Sequence, residues 1–134
     1  MLHPDILKVS AGLFANGHHA QAVFEALKAV EVRVKAVSGL SATGQKLMSA
    51  AFNKESPKIV LPIMAPEMAA DEKEGFRFLF MGTIWLRNVF AHDFPEPDER
   101  LAADYLALAS LLLGRLDEVT RAQAANRARR KGTN

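Results

Sequence analysis

The segment Ala22-Val23-Phe24-Glu25-Ala26-Leu27-Lys28-Ala29-Val30-Glu31-Val32-Arg33-Val34 settles the class of fold. Ala22, Val23, Ala26, Leu27, Val30 and Val34, with Val37 beyond, recur at three- and four-residue steps, the spacing of a buried helical stripe. This predicts a helix over residues 18–38, ended by Gly39. On its N-terminal side, Pro4 suits the first position of another helix, with Ile6, Leu7, Val9, Leu13 and Phe14 inward and Asn16-Gly17 as the stop. On its C-terminal side, a shorter helix over 43–52 turns Leu47, Met48 and Phe52 inward. Residues 53–70 differ. Pro57, Pro62 and Pro66 surround Lys58-Ile59-Val60-Leu61 and forbid a continuous helix, so a long loop holding one short strand or hairpin is predicted. Loops of that length are usually functional or mobile. Asp71-Glu72 then open a long helix to about residue 92, their carboxylates on the favourable end of its dipole. Pro95 and Pro97 break the chain. A last helix starts near Pro97-Asp98-Glu99, with Leu101, Tyr105, Leu108, Leu112, Leu116 and Val119 on one stripe widened by Leu106, Leu111 and Leu113. Its wide apolar surface predicts a place at the centre of an all-α bundle of four to five helices.

Composition narrows the classes further. At 134 residues the expectation is one domain, and 49% apolar against 24% charged residues excludes a disordered chain. The chain has no cysteine, which excludes a disulfide scaffold, a thiolate metal site and a cysteine nucleophile. The longest apolar or small run, residues 105–114, is ten residues long, against the roughly 20 of a membrane span. Met1-Leu2-His3-Pro4-Asp5 has no basic region leading into an apolar one. A cytoplasmic location without membrane association is expected. Residues 1–114 carry 11 Lys/Arg against 13 Asp/Glu, whereas residues 115–134 carry 6 against 2. The expected division is therefore a helical domain over 1–120 and a basic tail over 121–134. Such a tail is either a solvated, frayed helix end or a source of nonspecific attraction for phosphate.

The chemistry concentrates in Arg87-Asn88-Val89-Phe90-Ala91-His92. On an ideal helix Asn88 and His92 share a face, while Arg87 and His92 lie about 140° apart. One subunit does not aim both at one point, but a two-fold axis along this helix would bring Arg and His from two subunits into one pocket. A histidine titrating near neutrality can take a proton from a ribose 2′-hydroxyl or give one to a leaving 5′-oxygen. A guanidinium supplies forked donors to phosphate oxygens. Neither role requires a metal or another cofactor. Alternatively, Arg87 pairs with Asp93 or Glu96, and both Arg87 and His92 cap the helix end. His18 and His19 are adjacent and face apart, which favours capping or surface roles over a shared metal. Glu25 is placed to pair with Arg87 or Arg77. Phe76, Phe78, Phe80, Trp85 and Phe90 surround their helix, which fits core packing on one side and a dimer interface on the other better than a base-stacking platform.

Arg87, Asn88 and His92 resemble the signature of the HEPN superfamily: Arg, a polar residue, a short spacer, then His. The wider text is similar to the Ymh-like family of bacterial and phage hypothetical proteins, placed within HEPN. It is carried by Leu2-His3-Pro4-Asp5-Ile6, Leu13-Phe14-Ala15-Asn16-Gly17-His18-His19, Val30-Glu31-Val32-Arg33-Val34, Glu74-Gly75-Phe76-Arg77-Phe78-Leu79-Phe80 and Leu106-Ala107-Leu108-Ala109-Ser110. The chain departs from the family in having Val89 where a proline often follows the Asn. The resemblance implies a HEPN-like bundle, a homodimer, and a composite site of Arg87, Asn88 and His92. It implies metal-independent cleavage of RNA, with single-stranded RNA the expected substrate, in a toxin or phage-defence effector held by an antitoxin protein. It also admits a noncatalytic module that binds a partner protein or nucleotide, because fold does not fix function.

Overall fold

The computed structural model describes residues 1–92 and 96–132; the expected break at Pro95 and the pairing expected at Asp93 lie outside these. Five α-helices make up the described fold: α1 Pro4–Ala15, α2 His19–Ser38, α3 Gly44–Ala51, α4 Ala69–Phe90 and α5 Glu99–Gly132, with a short 3-10 turn Pro66–Met68 before α4. There is no strand among the described residues. None of these helices is long and apolar enough to cross a membrane.

The hub is α2, not α5. It packs against all four other helices, whereas α5 packs mainly on α2 and to a lesser degree on α1. The stripe read from the sequence is the stripe that is buried: Ala22, Val23, Ala26, Leu27, Val30 and Val34. On α5 the buried face is Ala102, Leu106, Ala109, Leu112, Leu113, Leu116 and Val119, while Leu101 and Leu111 are exposed. Relative to the expected Leu101–Tyr105–Leu108 line, the helix is rotated by about one residue. Small side chains explain the rotation. Alanines buried on both α2 and α5 let the two helices approach closely, and the longer leucines then fill the flanking grooves. Phe52 stacks on Phe80 at 4.3 Å between ring centres, and Phe90 meets Tyr105 edge-on at 5.0 Å.

Polar clamps fix the helix ends. The His3 ring accepts the Asp5 amide at Nδ1 (3.0 Å), so in the neutral ring its Nε2–H donates to Asp117 (2.6 Å). Arg33 spans the same Asp117 (2.6 Å) and Asp5. His3 thus joins α1 to α5, and Arg33 ties both to α2. His19 packs its ring on Phe14 at 4.8 Å, and Glu96 accepts the Ala20 amide at the start of α2 (2.7 Å), so Glu96 is not held by Arg87.

The segment between α3 and α4 is an arch. Ile59 is buried and Val60 exposed, and this alternation continues with Leu61, Ile63 and Ala65 more buried than Pro62 and Met64. This is the period of a strand, but no second strand lies beside it. Its polar backbone groups go elsewhere. The Ile59 amide donates to Ala51 O (3.0 Å), Arg115 donates to Pro62 O (2.5 Å), and the Met64 and Ala65 amides donate to Glu72 (both 2.9 Å). The expected strand or hairpin is therefore absent, because side chains and one α3 carbonyl replace a ladder. At the other end of the chain, α5 runs on to Gly132, and residues 120–132 are exposed along it. Ala and Arg dominate there, and their high helix propensity favours the helix without burial.

Two predictions concern these clamps. Asp117→Ala removes the shared acceptor of His3 and Arg33, and urea unfolding should show a loss of about 1–2 kcal/mol, modest because the cluster is half-exposed. The Met64 and Ala65 amides hold the Glu72 carboxyl below its ordinary value, with Arg115 adding to the effect. A lowered folded value stabilises fully above the ordinary carboxylate range and is lost as pH falls through the lowered value. In NMR spectra the Met64 and Ala65 amide signals should shift together on acidification below the ordinary Glu range, and Glu72→Gln should displace them already at neutral pH.

Candidate functional site

Near its C-terminal end α4 crosses the place where α2 leads into α3. Gly39 ends α2 with a left-handed φ of 72°, and Gly44 opens α3 with φ 63°. Thr43 makes no side-chain cap. Glu31 of α2 does that work across the loop: its Oε2 accepts the Gly44 amide at 2.6 Å, placing a carboxylate on the positive end of α3. Its other oxygen, Oε1, accepts from Nη1 of Arg87. The second guanidinium arm, Nη2, donates to Asn88 Oδ1 at 3.2 Å. The Glu31 side chain is 12% exposed and that of Arg87 21%, so this ion pair is largely screened from water. Nearby, Gln45 of α3 donates to Met81 O of α4 at 2.8 Å.

These contacts revise the expected partners. Arg87 pairs with Glu31 rather than with Glu25 or Glu96, and among the described residues it caps no helix carbonyl. Arg77 pairs with Glu74 at 3.0 Å, which holds the Glu74 carboxyl below its ordinary value. Glu25 lines a shallow groove with Lys28 and Arg33. A carboxylate flanking the buried stripe of α2 needs a cation. That signal was present at Glu31 as well, but the sequence reading gave the role to Glu25.

Helix α4 ends at Phe90, with the Ala91 amide donating back to Asn88 O at 3.3 Å. His92 therefore follows the helix instead of extending the i,i+4 stack under Asn88. Asn88, Val89 and His92 are all exposed. Phe78 (59% exposed), Trp85 (63% exposed), Val89 and Asn88 form a solvent-facing band along α4 that His92 follows, whereas Arg87 lies on the other side of the helix, in line with buried Phe80 and Thr83, and meets the band only through its hydrogen bond to Asn88. Within one chain the structure brings Arg87 to Asn88, but no contact joins Arg87 to His92 among the hydrogen bonds described. The arrangement offers a guanidinium held in a fixed pose, an amide beside it, and an imidazole at the end of an apolar band. Among the described residues no group of three or more His, Asp or Glu is arranged to hold a metal ion.

Glu31→Gln keeps the shape of the side chain and removes its charge. It leaves Arg87 with an uncompensated positive charge in a partly buried place and weakens the cap on α3. Thermal unfolding should show a loss of about 1–3 kcal/mol, with the Gly44 amide signal displaced.

Comparison with known proteins gave one finding. No curated protein and no solved structure matched the chain. A family model described as "Protein of unknown function (Hypoth_ymh)" matches residues 1–116, which take in α1 through α4, the arch and the packed part of α5. On that match over most of its length, the chain belongs to the Hypoth_ymh family.

Proposed function

We propose that this chain is a HEPN-type, metal-independent endoribonuclease that works as a homodimer and serves as a toxin or phage-defence effector. The observation that carries the reading is the exposed band on α4. Phe78, Trp85 and Val89 flank Asn88 and precede His92, and the Arg87 guanidinium, held by Glu31 on the covered side of α4, reaches Asn88. Packing two such bands about a two-fold axis would cover the apolar side chains and supply two copies of each polar group. One His92 imidazole takes the proton of a ribose 2′-hydroxyl as that oxygen bonds to phosphorus. The P–O5′ bond breaks, and the partner copy's imidazolium gives its proton to the departing oxygen. Arg87 stabilises the charge on the equatorial phosphate oxygens, and Asn88 keeps the guanidinium turned toward them. Single-stranded RNA fits best, because its backbone can reach the in-line geometry. An antitoxin protein would hold the activity in check in the cell.

One observation favours a second reading. Arg87 already has two acceptors, Glu31 and Asn88, and must share them to bind phosphate. A noncatalytic module would use the same α4 band to bind a partner protein or nucleotide. Cleavage of single-stranded RNA in EDTA separates the two. Wild type should yield 2′,3′-cyclic phosphate ends, and His92→Ala should cut at least about 100-fold more slowly. Trp85→Glu should sediment as a monomer and lose cleavage with it. No cleavage by the wild type, or equal cleavage by His92→Ala, would leave the module reading in place.

A further inference from the structure

The arch between α3 and α4 is longer than the connection requires. Seventeen residues, 52–68, separate Ala51 from Ala69, where about four to six are usual. It touches the core at Ile59 and Leu61, and its two limbs are braced separately. Asn53 braces its first turn, accepting the Glu55 and Ser56 amides and donating to Ala50 O and Ser56 O. Its far limb hangs on Arg115 and Glu72. Pro57 and Pro62 stiffen the span between these anchors. Ile59 and Leu61 pack onto the core, yet a cavity of about 290 Å³ remains beside them under the arch. That is close to the lower end of small-molecule sites, about 300 Å³ and upward.

The lining of the cavity has two parts. Ile59, Leu61 and Ile63 line it from the arch, together with Phe52 just after α3 and Phe76 of α4. The rest is charged. Lys54, Lys73 and Arg77 line the cavity together with Glu72 and Glu74. Both carboxylates are engaged, Glu72 by the arch amides and Arg115, Glu74 by Arg77 and Lys54. Lys73 is exposed and makes no ion pair among the described residues, and the Lys54 side chain is 67% exposed. Apolar walls beside one cation that remains available, Lys73, select for an apolar body with one negative end.

We propose that the cavity under the arch is a binding site for a small amphipathic anion: a single acyl chain or ring system ending in a carboxylate or phosphate, its apolar part between Ile63 and Phe76 and its charge at Lys73. This site lies in the N-terminal half of α4, apart from Arg87 and His92, and does not depend on the ribonuclease reading.

Decanoate is a suitable probe, titrated calorimetrically into the full chain below its micellar concentration, with uncharged 1-decanol alongside. One decanoate should bind per chain, more tightly than 1-decanol. Ile63→Trp, which fills the cavity, should abolish binding while circular dichroism shows an unchanged helical content. Lys73→Glu, on the surface and harmless to folding, should raise Kd by about fivefold or more. Trp85, the chain's one tryptophan, lies on the opposite use of α4 and its emission should not move. The proposal is overturned by the absence of any binding, by decanoate binding that survives Ile63→Trp or shifts the Trp85 emission, or by equal affinity for 1-decanol and decanoate.

Discussion

Every other helix of this protein is placed by its contact with α2. One stripe of Ala22, Val23, Ala26, Leu27, Val30 and Val34 is fully covered, and the residues beside it are partly covered. The small members of that stripe are as consequential as the large ones. Close approach at the alanines sets the rotation of α5, and with it which leucines are buried and which face water. The hydrophobic term is nondirectional, so it draws α1, α3, α4 and α5 onto α2 without fixing how far each slides along it.

Polar contacts supply that missing register. The His3–Asp117–Arg33–Asp5 cluster locks α1 against α2 and α5, and Glu31 locks α3 and α4 to α2 with the two oxygens of a single carboxylate. Glu72 and Arg115 do the same for the arch. In each case a charged side chain satisfies backbone or guanidinium groups that would otherwise be stranded in a partly dry place. The Arg87 guanidinium acquires its fixed pose as part of this scaffold. A residue proposed to act on phosphate is thus also a structural member, which ties the geometry of the site to the stability of the bundle.

The helix order and the buried face of α2 were legible in the sequence, because helical periodicity and Gly/Pro punctuation act over three to seven residues. The expectation of a strand over residues 58–61 read the local pattern rightly, since the arch is extended and alternates inward and outward. It failed on the partner: a strand is a relation between two segments, and none comes alongside. The expected central place of α5 failed for a related reason. Leucine-rich surface was taken as the measure of burial, whereas the alanines of α2 and α5 decided which faces met.

What the sequence determined by itself is the set of helices, their apolar stripes, and the residue types near the end of α4, all of which follow from short-range spacing. What only the tertiary structure decided is which charges meet. Glu31 and Arg87 are 56 residues apart, His3 and Asp117 are 114 apart. No local pattern encodes such pairings, since they arise only once packing on α2 has brought distant helix ends within hydrogen-bonding distance.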